Sequence, residues 1–282
     1  MSVVAVRGLS VRAGSGPEGA TLVDDLSFEI EAGRRLGLIG ESGSGKSLTA
    51  LAILGLLPSG LMPSGSITVS GTEMIGSAER DRISVRGSEA AIVFQEPLTA
   101  LDPLMRVGRQ VAEPVRRFAR RRSEQLGKAE VQERVLEALR EVRLPDPARI
   151  ANAFPHEISG GQRQRVAIAT ALAAQPRLLI ADEPTTALDV SVQAEVLDLL
   201  DRLVADRGMA LLFISHDLAV VSRVADDVVV LQNGRVVDRG SLRELIAAQG
   251  SGGGSVTSDY TAQLIAGARV LDDALDDPRR LS

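Results

Sequence analysis

The sequence predicts an α/β fold in which parallel strands alternate with helices along one chain. Two continuous apolar runs of strand length, 178–181 and 210–214, are separated by an amphipathic helix at about 192–205. Apolar strands without alternation are typical of parallel sheets that are covered on both faces. A third such strand, 35–39, runs directly into a glycine-rich turn and then a helix from about 46 to 56. These three observations indicate a parallel core with helices packed on it.

The remaining elements are predicted in order from local patterns. Strands are expected at 3–11 and 27–30, with a loop or hairpin tip at 14–19 between them, and again at 67–69 and 90–94. After Pro97 the chain becomes helical, since apolar residues recur at helical spacing from Val131 to Val142. Another helix starts at Ser159. Strands 228–231 and 235–237, joined by Asn233-Gly234, predict a hairpin with the favoured turn dipeptide.

Composition limits the class of protein. The chain has 282 residues, no cysteine and a formal net charge of -5, so disulfides, zinc–cysteine sites and a basic field for nucleic acid are not expected. The longest apolar stretches, 50–57 and 166–174, fall short of the roughly 18 residues that a membrane helix needs. We expect no signal peptide and no membrane span. The basic run Arg116, Arg117, Arg120, Arg121 and Arg122 is interpreted as a solvated helix face, with contact to lipid headgroups or RNA as the alternative.

One domain followed by a short tail accounts for the 282 residues. No internal repeat is present, and the stretch 249–255 is rich in glycine and serine, as in flexible linkers. We therefore predict one domain over residues 1–248 and a linker with a short tail over 249–282.

A phosphate-binding loop is the strongest motif. The residues that match the pattern G-x-x-x-x-G-K-[ST] at every fixed position are Gly40, Glu41, Ser42, Gly43, Ser44, Gly45, Lys46 and Ser47. Glycines let backbone N–H groups turn toward a phosphate, and the helix that follows presents its positive end. Lys46 is expected to reach the β- and γ-phosphates, and the Ser47 hydroxyl to ligate Mg²⁺. An accidental glycine-rich turn is the alternative.

Two carboxylates end the apolar strand 178–181. Asp182 stands where Mg²⁺ needs an anchor, and Glu183 follows it, placed to orient and polarise an attacking water. The alternative is a strand end capped by solvated acids, which the upstream phosphate loop disfavours.

A second anion site is predicted at the start of the helix at Ser159. The run Ser159-Gly160-Gly161-Gln162 places small residues at a helix N-terminus. Because the chain already has a full phosphate loop, this second site suggests two nucleotide-binding halves that meet; an ordinary serine cap is the alternative. His216 and Gln95 each follow a predicted strand. His216 is a candidate γ-phosphate contact or a structural histidine, and Gln95 is a candidate contact to Mg²⁺ or the water.

Together these motifs resemble the ATP-binding cassette (ABC) family over about residues 3–245. The phosphate loop, the glutamine loop at Gln95, the signature at 159–162, the acidic strand, the D-loop 187–189 and the switch His216 follow in that family's order. The resemblance implies a RecA-like P-loop core with an antiparallel β subdomain and a helical subdomain inserted at about 96–158. It also implies ATP with Mg²⁺ and two cassettes that meet head to tail.

The resemblance assigns roles to this chain's residues. It makes Glu183, His216, Gln95 and Lys46 catalytic, and Ser47, Gln95 and Asp182 the metal-binding set. The nucleotide-binding set is the phosphate loop 40–47 with Thr49, Gln95, Ser159, Gly160, Gly161, Gln162 and Asp189, of which Ser159 and Gly161 serve the partner's nucleotide. The family's usual aromatic residue near the end of the first strand is absent, since Ala13 occupies that position. Arg12 is the candidate to stack on adenine instead.

The sequence around Gln95, with 154–164 and 182–193, resembles the subfamily that imports peptides and nickel. That implies two permease subunits, a second, non-identical ABC ATPase subunit, an extracytoplasmic substrate-binding protein and no nucleic acid. It implies a peripheral location on the cytoplasmic face of the cell membrane. Di- or oligopeptides are the favoured cargo, with nickel or another solute as the alternative. Exporter ATPases, soluble ABC ATPases of DNA repair or translation, and non-catalytic nucleotide-binding regulators are the other classes considered.

Overall fold

A computed structural model of the protein describes residues 2–14, 19–95, 101–186, 189–250 and 258–276, apart from the side chains of 248–250 and 269–276. The predicted D-loop residues 187–188, most of the linker 249–255 and the first residues of the predicted helical subdomain lie outside this description. The chain divides into two compact units. One comprises Met1–Ala78 with Ala210–Ser282, and the other comprises Glu79–Met209.

The elements alternate as the sequence predicts. The strands are β1 (Ser2–Ala13), β2 (Thr21–Glu31), β3 (Arg35–Gly40), β4 (Leu61–Val69), β5 (Thr72–Glu73), β6 (Ala90–Val93), β7 (Leu178–Asp182), β8 (Ala210–Ser215), β9 (Asp227–Gln232) and β10 (Arg235–Ser241). The first helices are α1 (Lys46–Ile53), α2 (Glu79–Val85), α3 (Val107–Arg121), α4 (Lys128–Glu141) and α5 (Pro147–Asn152). After a 3₁₀ turn at Pro155–Glu157 come α6 (Gly160–Leu172), α7 (Val190–Arg207), α8 (Leu218–Ser222), α9 (Leu242–Gly250) and α10 (Asp259–Asp276).

The first unit contains an antiparallel sheet in the order β2-β1-β4-β5. Two of its strands are longer than predicted: β2 begins at Thr21 and β4 at Leu61, whereas the expected starts were 27 and 67. Pairing with β1 explains the difference, because Thr21 and Met62 both lie opposite Arg12. Local propensity does not detect strand residues whose backbone is held by neighbouring strands.

The same unit contains the predicted parallel strands. β3 pairs in parallel with β8 on one side and β9 on the other, and β10 returns antiparallel to β9. Leu38, Ile39 and Phe213 are fully buried, as expected for strands covered on both faces. Asn233 and Gly234 both have positive φ, at 50° and 79°, so the predicted hairpin between β9 and β10 is confirmed.

The second unit pairs β6 with β7 in parallel, from Ala90 opposite Leu178 to Val93 opposite Ala181. Helices α3, α4 and α5 lie within the stretch predicted as the helical subdomain. Helix α3 buries Val111 and Val115 and exposes Arg116, Arg117 and Arg120, as a solvated basic face requires. Arg121 differs because its guanidinium donates to the backbone carbonyls of Ile83 and Ser84.

In the described part of the chain, every helix is too short or too polar to cross a membrane.

Candidate nucleotide-binding site

The predicted site residues are distributed over both units. The phosphate loop, Thr49 and His216 belong to the first unit; Gln95, the signature residues 159–162, Asp182, Glu183 and Asp189 belong to the second. Each group is described within its own unit.

The phosphate loop joins the end of β3 directly to the start of α1. Gly45 caps α1 in a left-handed conformation with φ of 99°, and a Cβ at this position would lie 2.8 Å from Val23 Cγ2. Both the conformation and the close approach favour glycine here. At the other end of the loop, a Cβ on Gly40 would lie 2.3 Å from the Leu231 carbonyl oxygen. The two glycines therefore let the loop pass close to β2 and β9, as a tight phosphate cradle requires.

Lys46 lies inside this loop rather than in solvent. It is 4% exposed, and its ammonium donates to the carbonyls of Gly40 at 2.7 Å and Glu41 at 2.8 Å. The Glu41 carbonyl also accepts from the Ser44 N–H at 3.2 Å, and the buried Thr49 hydroxyl donates to the Gly45 carbonyl at 2.9 Å. The structure thus places the positive charge of Lys46 within the curl of the loop, where backbone carbonyls accept its hydrogen bonds.

The loop fits a phosphate group. Ser44 Oγ is buried and lacks a hydrogen-bond partner in the described structure, although a buried hydroxyl normally has one. It lies at the positive end of α1, in the same loop that encloses the buried Lys46, where a phosphate oxygen would satisfy it. Glu41, Ser42 and Gly43 are exposed on the outer side of the loop, and Ser47 is exposed in the first turn of α1.

His216 lies beside the phosphate loop in the sheet. It follows β8 directly, and Ser215 at the end of β8 is opposite Ile39, immediately before Gly40. The Asp217 carboxylate caps α8 by accepting from the Ala219 N–H at 2.9 Å, so the chain turns into a helix right after the exposed His216. Since carboxyl ends of parallel strands meet at one edge, the histidine and the loop share that edge.

The second unit places the acidic pair at the end of β7. Asp182 is buried and Glu183 half-buried, and Glu183 has a left-handed backbone with φ of 47°. Such a conformation is unfavourable for a non-glycine residue and is concentrated at functional sites. The Thr186 hydroxyl donates to the Glu183 carboxylate at 3.0 Å. The sequence analysis missed Thr186, since a threonine in this turn carries no signal of its own.

Gln95 is brought to the same edge as this pair. β6 and β7 are parallel, with Val93 opposite Ala181, so Gln95 follows β6 where Glu183 follows β7. Its side chain is exposed. The register of these strands therefore places Gln95, the candidate contact to Mg²⁺ or the water, level with Glu183.

The signature residues form the N-terminus of α6. Ser159 Oγ accepts from the Gln162 N–H at 3.3 Å, and Gln162 Oε1 accepts from the Ser159 N–H at 3.1 Å, a reciprocal capping box. Gly161 has a packing role besides, because a Cβ there would lie 2.7 Å from Val192 Cγ1 of α7. Gly160 has open space around it. Of the residues predicted as an anion site, Ser159 thus caps the helix and Gly161 allows its close packing on α7.

Asp189 caps α7, the next helix. Its carboxylate accepts from the Ser191 hydroxyl at 2.6 Å and the Val192 N–H at 2.9 Å. These hydrogen bonds, from Ser191 first and then from Val192, hold the pKa of the Asp189 carboxyl below its ordinary value. Asp189 therefore stays ionised at neutral pH and stabilises the turn in which the predicted D-loop ends.

Two predictions about ligands can be compared with the residues described. Within those residues no cluster of three or more His, Asp or Glu side chains could hold a metal ion by itself. This fits Mg²⁺, which usually binds through one or two protein ligands together with phosphate oxygens.

Arg12, the candidate adenine contact, is exposed on β1 opposite Thr21 and Met62.

Comparison with known protein families agrees with this geometry. The family model described as ABC transporter matches residues 23–186. Among solved structures, a dimeric ATP-binding cassette bound to ADP and Pi in a post-hydrolysis state superposes with a TM-score of 0.75 at 29% identity. The superposition covers 85% of this chain and 99% of that one. The predicted α/β cassette fold is confirmed.

Three curated relatives are similar over most of this chain. A probable peptide ABC transporter ATP-binding protein of Sinorhizobium fredii is 46% identical, covering 90% of this chain and 71% of the relative. An oligopeptide transport ATP-binding protein of Salmonella typhimurium is 44% identical, covering 81% and 67%. A peptidoglycan transport ATP-binding protein of Agrobacterium fabrum is 45% identical over 86% of this chain, which spans 44% of that relative's length.

Proposed function

This chain belongs to the ABC transporter family as an ATP-hydrolysing subunit, and we propose that its ATPase cycle energises the import of di- or oligopeptides. One observation carries the proposal: a complete phosphate loop with a buried Lys46 occurs in a chain whose relatives are named as peptide transport ATP-binding proteins.

We propose the following division of labour for hydrolysis. Lys46 exchanges its contacts with the Gly40 and Glu41 carbonyls for the β- and γ-phosphates, and the backbone N–H groups of loop 40–47 bind the same oxygens. Glu183 accepts a proton from the attacking water, and the Thr186 hydroxyl holds the Glu183 carboxylate in orientation. His216 contacts the γ-phosphate. Thr49 supports the loop through its bond to Gly45.

Mg²⁺ and the second nucleotide contact complete the proposed chemistry. Ser47, Gln95 and Asp182 would hold Mg²⁺, which supplies charge neutralisation on the phosphates when bound. The residues Ser159, Gly160, Gly161 and Gln162 would serve the nucleotide of a second cassette, together with Asp189, which caps the helix that packs on Gly161. The positive end of α6 and the small size of its first residues support this role.

We further propose the assembly in which the subunit works. It comprises two permease subunits, a second, non-identical ABC ATPase and an extracytoplasmic substrate-binding protein, with this chain peripheral on the cytoplasmic face of the cell membrane. The names of the oligopeptide-transport relatives support a transporter complex. Nucleotide-driven closure and release of two cassettes would move the permeases, as a ligand-driven population shift.

Purification from native membranes tests this proposal. The tagged subunit is isolated from detergent-solubilised membranes, its partners are identified, and the complex is reconstituted in liposomes with the binding protein. We expect two polytopic permeases and peptide uptake that requires hydrolysable ATP, with a non-hydrolysable analogue as control. Recovery of soluble partners only would contradict the transporter assignment. Uptake of nickel instead of peptides would correct the cargo while leaving the ATPase role intact.

A further inference from the structure

The C-terminal helix α10 is attached to β10 at its first turn. Ser258, which caps the helix by accepting from the Thr261 N–H at 3.2 Å, donates its own backbone N–H to the Asp238 carboxylate of β10 at 3.0 Å. The hydroxyls of Ser258 and Thr261 donate to the same carboxylate oxygen. Three donors on this half-buried carboxylate form a contact, here called the Asp238 latch, that fixes where the helix begins.

Packing continues this attachment along the helix. Thr261 and Ile265, four residues apart and therefore on one face, are each 1% exposed. Gln263, on the opposite face, is exposed. α10 packs against α8, the short helix that follows His216. The tail helix is thus held by the latch at its start and by packing beyond it, and α8 is one of the elements it packs on.

Helix α8 also packs closely on β3, the strand that leads into the phosphate loop. A Cβ on Gly37 of β3 would lie 2.4 Å from Val221 Cγ1 of α8, so only glycine lets the helix approach this closely. Val221 is fully buried. Close-packed interiors transmit small displacements instead of absorbing them. A change in the support that α10 gives to α8 is therefore expected to reach the residues at the start of α8.

The backbone at His216 is set by the start of α8. The Asp217 N–H donates to Ser215 Oγ at 3.0 Å, a hydrogen bond that spans His216. The Asp217 carboxylate caps α8 by accepting from the Ala219 N–H at 2.9 Å. Ser215 ends β8 beside the strand that carries the phosphate loop. The direction in which His216 is presented at this edge therefore depends on where α8 begins.

From these contacts we infer that Asp238 is a positioning residue for His216, acting through α10 and α8. The inference rests on the proposed contact of His216 with the γ-phosphate. Loss of the latch leaves the hydrogen bonds of the phosphate loop intact but removes a support of the helix that sets His216. The latch should consequently affect turnover more than nucleotide affinity, as expected for a contact that matters in the transition state.

Turnover in the assembled transporter, with binding of a fluorescent ATP analogue and Mg²⁺ to the full chain, tests the inference. Thr261→Val removes one hydroxyl of the latch and keeps the volume of the side chain. We expect it to lower kcat about two- to tenfold, the range for one hydrogen bond, with Kd unchanged. Asp238→Ala removes the acceptor of all three donors and should lower kcat at least as much. Gln263→Ala, on the exposed face of the same helix, is the matched control and should change neither constant.

A double-mutant cycle separates positioning from general destabilisation. In a chain that carries His216→Ala, Thr261→Val should cause no further loss of turnover, because the residue through which the latch acts is gone. An equal further loss would overturn the inference and leave the proposed function standing. Unchanged kcat in both latch variants, or a rise in Kd in place of the fall in kcat, would also overturn it. Full turnover in His216→Ala alone would overturn the proposed role of His216 itself.

The two histidines of the chain provide a spectroscopic readout of the same displacement. His216 belongs to the first unit, whereas His156 belongs to the second and serves as an internal control. In histidine-labelled protein without nucleotide, the ring C–H resonance of His216, identified by its loss in His216→Ala, should shift in Thr261→Val. The resonance of His156 should stay in place. An unmoved His216 resonance, or equal shifts of both rings, would overturn the inference.

Discussion

Thr186, four residues after the end of β7, donates its hydroxyl to the Glu183 carboxylate at 3.0 Å. The two side chains meet because Glu183 adopts a left-handed backbone conformation that turns the chain immediately after the buried Asp182. A proposed general base is thus oriented by a neighbour on its own turn. The left-handed backbone of Glu183 costs about 1–3 kcal/mol, which the surrounding structure must offset.

Lys46→Ala should weaken ATP binding by about ten- to a hundredfold, because a charged hydrogen bond contributes about 1.5–3 kcal/mol. Calorimetric titration of the purified subunit with MgATP measures the change. The chain offers a matched control in Lys128, its one other lysine, which is exposed at the start of α4. Lys128→Ala should bind as the unmodified chain does, and equal affinities for both variants would contradict the phosphate-loop assignment.

Gly161→Ala should lower the free energy of unfolding by about 1–3 kcal/mol, the usual effect of overpacking. The added Cβ would lie 2.7 Å from Val192 Cγ1, so α6 or α7 must shift. Urea denaturation followed by circular dichroism checks this.

Gly160→Ala is the control for that measurement, because a Cβ there meets nothing within 4 Å. Its stability should be unchanged or raised by up to about 1 kcal/mol. Equal stability losses in the two variants would show that helix capping, rather than the contact with Val192, determines the cost.

Glu73→Gln should make the stability of the protein less dependent on pH. Burial raises the pKa of the Glu73 carboxyl, but hydrogen bonds from Ser66 and from the backbone of Ile67, Ile75 and Met74 outweigh it and lower the pKa overall. Because the pKa is lowered in the folded state, the ionised carboxylate stabilises the fold at pH values above the pKa of the unfolded state. This stabilisation is lost as the pH falls through the pKa of the folded state.

Urea unfolding of the unmodified protein and of Glu73→Gln is measured from pH 7 down to the lowest pH at which both remain folded. The unmodified chain should be more stable at pH 7, and the difference should shrink as pH falls below about 4, the ordinary carboxyl range. Ser66→Ala keeps the charge and removes the 2.6 Å hydrogen bond from that hydroxyl, so it should reduce the pH dependence without abolishing it, because the backbone hydrogen bonds remain. A difference in the free energy of unfolding that does not change with pH would show that the ionised Glu73 carboxylate is not its cause.

Several features follow from the sequence because they rest on short-range patterns. The phosphate loop, the strand leading to Asp182 and the hairpin at Asn233-Gly234 are each defined by glycine placement or continuous apolar runs. The early starts of β2 and β4 do not follow from such patterns, since pairing with β1 determines them. The left-handed backbone of Glu183 likewise depends on the assembled fold. Local sequence therefore predicts the motif residues better than the tertiary contacts that support them.

Turnover and binding in Glu183→Gln test the central claim most directly. Glutamine preserves an oxygen that can accept from Thr186 but cannot take a proton from water. In the assembled transporter we expect ATP affinity to be retained and turnover to fall by about 10²–10⁴-fold, the contribution of a positioned base. Glu133→Gln, which loses an exposed pair with Arg140, should turn over normally. Undiminished hydrolysis in Glu183→Gln would contradict the account and remove Glu183 from the chemistry.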